Sequence, residues 1–275
     1  MVFISLICDE SSMTIRHILI RAIMTPPKLL DKNALIEREQ TIVTVTISLI
    51  QRLGIENLTM DKVVAQVPYS KGTVYKHFIS KEDLLLAISN HAIEVLSDLF
   101  YRAYKFNGCS RERMLLLNFS YLLYAILYPE LFQAVICAKS QSVIGKSSEL
   151  RINENDKLQQ KLLTAIHGIV EDGLSDKSIV LPNHLNIQQL CFANWSMAYG
   201  AITLLSGEVE SCSGRTDLVV ERELFNNSNL LFDGMGWQPL TKDKNHCSEL
   251  TVALQSLFPQ ELALIKEKGR ELNFS

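Results

Sequence analysis

The segment Leu58–Leu85 constrains the fold more than any other part of this 275-residue chain. It contains two short amphipathic stretches separated by a tight turn, and a third apolar stretch follows them. Between Lys62 and Lys81 there are four lysines and no acidic residue, although the net charge of the whole chain is -3. A local excess of positive charge on short helices is typical of a surface that binds phosphate groups. We therefore interpret this segment as a helix-turn-helix that binds DNA.

Polar residues that can cap a first helical turn predict three helix starts, at Thr59, Ser70 and Ser80. Ser80 and Asp83 also have the spacing of a capping box, and the apolar positions after them predict a long amphipathic helix. Pro68 disfavours the α conformation of the residue before it, so the first short helix should end near Gln66. In the second helix, Val74 and Phe78 lie one turn apart and should be buried, which leaves a polar and basic face free.

This order of caps, with Ser70-Lys-Gly-Thr-Val-Tyr-Lys-His-Phe78 and then Ser80-Lys-Glu-Asp-Leu-Leu85, closely resembles the DNA-binding domain of the tetracycline-repressor (TetR) family over residues 34 to 90. The resemblance implies an all-α fold, with an N-terminal three-helix helix-turn-helix domain and a larger α-helical domain for ligand binding and dimerisation. We predict an N-terminal extension at 1–32 that is disordered or reflects a misassigned start, a DNA-binding domain at 33–80 and a regulatory domain at 81–275.

The resemblance also decides the conformation of the segment before the motif. Val43, Val45, Ile47 and Leu49 alternate with polar residues, which is a fair strand pattern rich in β-branched side chains. In the TetR family a helix packs over the motif at this place. We therefore predict a helix here, ending at Gly54.

Carried over position by position, the family pattern implies two sets of DNA contacts. Phosphate contacts are expected from Thr59, Tyr75, His77 and Lys81, and groove contacts from Ser70, Lys71, Gly72, Thr73 and Lys76. The alternative is that the lysines form an ordinary solvated face. The family usually has glycine in the turn where this chain has Pro68, and proline cannot reach a positive φ, so the turn must adopt another geometry.

In the second domain, one helix carries aromatic residues at helical spacing, and a nearby histidine lies on an apolar helix face. A ligand pocket is predicted at Leu117, Tyr121, Tyr124 and His167, because TetR-like regulators generally bind an apolar small molecule in this domain. Plain core packing is the alternative for each of these residues. The resemblance further implies a four-helix dimer interface, for which the candidates are Cys191, Trp195, Ala198, Tyr199 and Ile202.

Composition and motifs limit the other function classes. No nucleotide-binding, nucleophile-elbow or zinc-protease motif occurs, so we expect no enzyme, cofactor or metal site. The six cysteines show no paired spacing, and the apolar runs are interrupted before they reach membrane length. We expect a cytoplasmic bacterial repressor that binds a near-palindromic duplex DNA operator as a homodimer and is relieved by a small apolar ligand. A ligand-independent regulator or an activator is the alternative.

Overall fold

The computed structural model describes residues 32–206 and 213–273, so the predicted extension at 1–32 lies almost entirely outside the described residues. Twelve α-helices form within those ranges, and no strand does. The helices are α1 Lys32–Leu53, α2 Met60–Val64, α3 Lys71–His77, α4 Lys81–Tyr104, α5 Ser110–Leu127, α6 Pro129–Ala138, α7 Gln141–Ile144, α8 Glu149–Ser175, α9 Ile187–Leu205, α10 Val220–Gly234, α11 His246–Leu257 and α12 Pro259–Glu267. The predicted all-α fold is confirmed.

The chain divides into two compact units, residues 1–42 and 43–275, so the boundary falls within α1. In the larger unit, α1 buries Thr46, Leu49 and Ile50. This spacing follows the helical period and not the alternation of a strand, which confirms the predicted helix. The helix ends as predicted at Gly54, whose φ is +80° and whose N–H donates to the carbonyl of Ile50 at 2.9 Å. A positive φ at a helix C-terminus is a conformation that glycine adopts without strain.

The core of the larger unit is built around α4, which packs against α5, α6 and α8. Fifteen of its residues are buried, from Asp83 to Ala103, so it is apolar around most of its circumference. α9 and α10 pack against each other, and α10, α11 and α12 all contact α5. A helix buried on nearly every side is expected at the centre of a large helical domain.

The same composition makes α4 long and apolar enough to cross a bilayer, although 72% of its most apolar stretch is buried inside the protein. The helix pair α5 and α6 passes the same test if taken together, but it bends by 105°. Neither was expected from the sequence. Burial accounts for the apolar residues of α4, because the central helix of a large helical domain needs the same side chains.

Gly, Pro, Asn and Ser residues that break helices predict one helix from Pro129 to Ser142 and another that starts at Asn155, and both differ from the structure. The predicted helix from Pro129 to Ser142 is divided into α6 and α7, since the backbone turns at Lys139 and Ser140. α8 begins at Glu149, six residues before its predicted start at Asn155. The first two turns of α8 are rich in polar residues, so they show little of the apolar periodicity that indicates a helix.

Candidate nucleic-acid interface and effector cavity

All three predicted caps of the helix-turn-helix form. The Thr59 hydroxyl accepts a hydrogen bond from the N–H of Lys62 at 3.3 Å, and the Ser70 hydroxyl accepts one from the N–H of Thr73 at 3.2 Å. The Ser80 hydroxyl accepts one from the N–H of Asp83 at 2.9 Å. Each bond satisfies a backbone donor that the helix itself leaves free, and this fixes where α2, α3 and α4 begin.

The turn around Pro68 forms without a positive φ between Ala65 and Ser70. α2 ends at Val64, two residues earlier than predicted, and the chain then passes through bends to the cap of α3. The structure therefore confirms that this turn differs in geometry from the turn with glycine that is usual in the TetR family. Proline fits here because the turn requires no positive φ, which proline cannot adopt.

α3 has one buried side and one exposed side. Val74 and the residue that ends the helix, Phe78, are fully buried, as predicted. Among the predicted DNA-contacting residues, Thr59, Ser70, Lys71, Gly72, Tyr75 and Lys76 are exposed, and Thr73, His77 and Lys81 are half-buried. A Cβ placed on Gly72 would have no heavy atom within 4 Å, so no internal contact requires glycine there. An exposed glycine of this kind leaves room for the backbone to approach a partner.

Several of these residues already have intramolecular partners. The ammonium of Lys71 lies 2.8 Å from a carboxylate oxygen of Asp61 and 5.8 Å from the ring centroid of Tyr75. The hydrogen bond to Asp61 and its charge raise the pKa of Lys71. The Thr73 hydroxyl lies 2.9 Å from the Ser70 hydroxyl. Asp61 is thus part of the surface, although the sequence suggested for it nothing beyond a favourable place at the N-terminus of α2.

The start of α4 is joined to the connection between α7 and α8. The Ser80 hydroxyl donates to the carbonyl of Lys146 at 2.8 Å, and the buried Asp83 carboxylate accepts hydrogen bonds from the N–H and hydroxyl of Ser148 at 2.9 and 2.8 Å. The other oxygen of Asp83 accepts from the N–H of Ile79 at 3.1 Å. The predicted capping box is therefore displaced by one residue, since the reciprocal bond reaches Ile79 and not Ser80.

A second joint connects α8 to the end of α3. The guanidinium of Arg151 lies 5.4 Å from the ring centroid of Phe78. One turn further along α8, Asn155 donates to Asn90 of α4 at 2.7 Å, and Asn90 donates to Glu154 at 3.0 Å. Gln159 in turn donates to Asn155. The N-terminal half of α8 therefore contacts both Phe78, the residue that follows α3, and the first half of α4.

An apolar cavity of about 320 Å³ lies between α4, α5, α6, α8 and α9. Its walls are aliphatic and aromatic, with residues that include Ile93, Leu96, Phe100, Ile166, Phe192 and Trp195. A volume near 300 Å³ with mostly apolar walls is at the small end of the range for ligand sites.

Two of the four predicted pocket residues, Tyr121 and His167, line this cavity. Tyr121 is buried, and this burial raises the pKa of its hydroxyl to about 12. Leu117 and Tyr124 are buried and do not line the cavity. Tyr124 packs parallel to Tyr121 with ring centroids 6.4 Å apart, and burial raises the pKa of its hydroxyl as well. Of the three predicted pocket residues on α5, only Tyr121 therefore lines the cavity.

Comparison with known proteins identifies the N-terminal part of the larger unit. Residues 42–88 match the family model described as bacterial regulatory proteins, tetR family. These residues form a TetR-family DNA-binding domain. The match covers α2, α3, the start of α4 and part of α1, which are the elements whose caps and turn are described above. No curated protein matches the chain in sequence.

Solved structures show that the likeness extends beyond this domain. The chain is similar to the TetR-family transcriptional regulator PfmR from Thermus thermophilus, with 17% identity and a TM-score of 0.52 over 70% of this chain and 97% of that one. A protein of unknown function from Rhodococcus sp. RHA1 gives 16% identity and a TM-score of 0.59 over 76% and 98%. The regulator FadR from Bacillus subtilis, solved with stearoyl-CoA, gives 14% and 0.52 over 71% and 96%. The chain has the fold of a TetR-family transcriptional regulator.

The candidate residues for a TetR-like dimer interface lie on two sides of α9. Cys191, Ala198 and Ile202 are buried within this chain, whereas Trp195 is exposed and Tyr199 is half-buried. The ring of Trp195 lines the cavity. Outward-facing apolar side chains that the sequence pattern did not indicate are Phe192, Leu204 and, on α10, Leu230, with 63%, 60% and 71% of their surfaces exposed.

Two of the buried polar side chains of the domain, Asn194 and Arg111, have protein partners. The amides of Asn194 and Asn118 donate to each other at 2.8 and 2.9 Å. Arg111 is fully buried and donates to the carbonyl of Trp237 at 2.6 Å and to Asn229 at 2.8 Å. In the described residues, no cluster of histidine, cysteine and carboxylate side chains has the geometry of a metal site. Burial raises the pKa of Cys109, which is the opposite of what a reactive thiolate needs.

Proposed function

We propose that this protein is a cytoplasmic transcriptional repressor that binds a near-palindromic duplex DNA operator as a homodimer and releases it when a small apolar ligand enters the cavity. The observation that carries the proposal is the exposed polar face of α3, held by three formed caps. The cavity beside α4 supplies the regulatory part of the proposal. Both features lie on the fold of a family of bacterial regulators.

On DNA, we assign the N-terminal turn of α3 to the major groove. Gly72 allows the backbone to approach closely, and the Thr73 hydroxyl can reach base edges. The ammonium of Lys76 can reach a base edge and also the phosphate charge beside the groove. Thr59, Tyr75, His77 and Lys81 surround this turn and are assigned to the phosphates on either side. Phosphate contacts position the protein and provide affinity, whereas base contacts provide specificity.

A homodimer is proposed because one seven-residue helix reads few base pairs. Two copies can read half-sites about one helical turn apart, which raises both affinity and specificity. The outward face of α9 and α10, defined here by Phe192, Leu204 and Leu230, is the proposed contact. Large apolar side chains exposed to this extent on adjacent helices favour burial against a partner. A second copy of this chain offers the same face, as two-fold symmetry requires.

The effector site is assigned to the 320 Å³ cavity in preference to a larger cleft. That cleft, of about 490 Å³, lies between α5 and α11 and includes Glu112 and Glu249. Lys244 pairs with Glu112 at 2.5 Å and with Glu249 at 2.9 Å, so these charges already hold the cleft together. The cavity, by contrast, touches both α4 and α8, and α8 contacts the end of α3. Its position supports an influence on DNA binding.

The size and apolar character of the cavity suit an elongated hydrocarbon ligand. FadR from Bacillus subtilis, which shares the fold, has been solved with stearoyl-CoA, and a second relative of similar fold is described as a putative fatty acid metabolism regulator from Clostridium perfringens. These are properties of those proteins. The FadR complex supports the proposal because one protein of this fold binds a molecule that carries an acyl chain.

Ligand binding can weaken DNA binding only if the ligand prefers a conformation that does not fit the operator. α8 provides the connection, since Ile166 lines the cavity and Arg151 lies over Phe78. A shift of α8 on ligand binding would therefore move the support of the recognition helix. A coupling free energy of about 1 to 3 kcal/mol corresponds to a change in operator affinity of about 5- to 150-fold.

The experiment is selection of duplex DNA from a random pool with the full chain, followed by fluorescence anisotropy on the selected sequence. We expect a near-palindromic site, and Thr73→Ala should change the preferred bases more than it changes affinity for random duplex. Addition of 1-decanol or decanoate should then release the operator from the wild type but not from Ile166→Trp, which fills the cavity. Failure to select any sequence would refute the DNA-binding assignment, and equal release from both proteins would refute the cavity.

A further inference from the structure

A smaller space of about 210 Å³, with both polar and apolar walls, adjoins the apolar cavity. The two share Ile93, Val135, Lys139 and Gln159 in their walls. The smaller space adds the polar side chains of Ser89 and Asn155. Together they form one site with an apolar end and a polar end. A ligand that fills both spaces must be amphipathic.

Lys139 lies where the two spaces meet, directly after the last residue of α6. Its ammonium lies 3.4 Å from the amide oxygen of Gln159 and 5.7 Å from the ring centroid of Trp195. Lys139 is exposed to solvent at the mouth of the cavity, and desolvation by the surrounding side chains lowers the pKa of its ammonium. The charge is thus held against an aromatic ring and an uncharged amide.

No carboxylate compensates this charge within residues 32–206 and 213–273. None lies within ion-pair distance of the Lys139 ammonium, and neither space has aspartate or glutamate in its walls. Cations that line other parts of this domain do have a carboxylate partner, for example Arg102 with Glu261 and Lys244 with Glu112. A cation without a counter-ion at the edge of an apolar cavity favours an anionic ligand.

We propose that the ligand of this site is an apolar carboxylate, whose hydrocarbon chain fills the cavity and whose carboxylate binds Lys139 and Gln159. This inference rests on the proposed effector cavity and assigns its ligand class. A single ammonium matches a single negative charge, and the neighbouring amides of Gln159 and Asn155 can supply further hydrogen bonds. Neutral hydrocarbons of the same length would fill the cavity but leave the ammonium without a partner.

A carboxylate at this position also has a consequence for the helices. Gln159 now donates to Asn155, which donates to Asn90 of α4. If Gln159 turns to donate to the bound carboxylate, the amide oxygen of Asn155 loses that donor. The next hydrogen bond in this series, from Asn155 to Asn90, is the one that joins α8 to the first half of α4. The anionic group therefore acts on the part of α8 that supports α3.

The test compares decanoate with 1-decanol, which have the same chain length and differ in charge. Binding to the full-length protein is measured by titration calorimetry and by the fluorescence of Trp195, which lines the cavity. We expect decanoate to bind more tightly, and Lys139→Met to reduce its advantage over decanol by about 10- to 100-fold, as for loss of a hydrogen bond to a charged group. Lys139→Arg should keep most of the advantage, and Lys161→Met, at an exposed position on α8, should leave it unchanged.

The outcomes separate this inference from the proposed function. Equal affinity for both compounds, or an advantage of decanoate that survives in Lys139→Met, would overturn the carboxylate assignment and leave an apolar effector site. An equal loss in Lys161→Met would also overturn it, because general surface charge would then explain the effect. If neither compound binds while the operator is still bound, the ligand class is wrong and the DNA-binding function stands.

Discussion

Removal of one exposed lysine from the recognition helix should change how DNA affinity depends on salt. Lys76 is exposed and has no carboxylate within ion-pair distance among residues 32–206 and 213–273. Lys71, five residues earlier, is already paired with Asp61 at 2.8 Å. The two lysines therefore differ in what they must give up when they bind a phosphate. The variants Lys76→Ala, Lys71→Ala and Asp61→Asn separate these contributions.

Each phosphate contact contributes about -0.9 to the slope of log affinity against log salt concentration. A homodimer has two copies of Lys76, so Lys76→Ala should flatten the slope by about 1.8. Over a fourfold rise in salt this amounts to about a tenfold smaller loss of affinity. Asp61→Asn should raise affinity, since an exposed ion pair worth about 0.2 to 1 kcal/mol no longer competes for Lys71. Its slope should stay close to that of the wild type.

The assay is fluorescence anisotropy of the selected operator at four salt concentrations, with Lys242→Ala as control. Lys242 is exposed in the loop after α10, so its removal alters net charge equally without touching α3. If Lys76→Ala and Lys242→Ala shift the slope equally, net charge explains the effect and the proposed surface is wrong. If Asp61→Asn weakens binding, then Lys71 needs Asp61 to hold its position, and the competition argument fails.

Two further substitutions test the dimer face and the core. Leu204→Glu or Leu230→Glu should give a monomer by light scattering at micromolar concentration, whereas Leu150→Glu, at an equally exposed position on α8, should not; a dimer in all three would exclude the proposed face. Arg111→Met should lower the free energy of unfolding in urea by about 1 to 3 kcal/mol for each buried acceptor that it leaves unpaired, which are the carbonyl of Trp237 and the amide oxygen of Asn229. Arg113→Met, whose carboxylate partner is half-exposed, should have a smaller effect, and equal losses would contradict this account.

The helix starts at Thr59, Ser70 and Ser80 could be predicted because each depends on a hydrogen bond within four residues of the chain. Such a signal is complete in the local sequence. The start of α8 is different, since Ser148 makes no side-chain cap bond there and instead donates to Asp83 of another helix. A contact between residues 65 positions apart leaves no mark on the local pattern. This is why the first six residues of α8 were missed.

The candidate pocket shows the same limit. Tyr121 and Tyr124 lie one turn apart on α5, and both are large, apolar and capped by a hydroxyl. Tyr121 faces the cavity, while Tyr124 faces the core. The helical period places the two residues on one side of α5. It does not predict how the five helices around the cavity are arranged, so it cannot show which of the two tyrosines lines the cavity. Lys139 was missed for a related reason, because a lysine after an apolar helix is an ordinary helix end.

The candidate dimer residues show that a sequence pattern can predict helix packing without showing whether the second helix belongs to the same chain or to another copy. Cys191, Ala198 and Ile202 mix small and large side chains on one face of α9, which indicates close approach of another helix. In this chain they are buried by its own helices. The exposed face, with Phe192 and Leu204, is less regular in the sequence because polar residues are interspersed. Burial within one chain and burial between two chains require the same residue types.

The arrangement of α8 decides which helix can transmit a signal. α4 is one candidate, because it begins at the DNA-binding domain and runs into the second. α4 is buried on nearly all sides, however, so any displacement must disturb most of the core. Ile166 of α8 touches the cavity and Arg151 touches Phe78, and a helix rises about 1.5 Å per residue, so the two points are about 22 Å apart on one rigid rod. Much of the opposite side of α8 is exposed, so a small tilt meets little resistance there. In the proposed mechanism, a ligand that pushes on Ile166 would act on α3 through α8, and α4 would be the surface against which α8 moves.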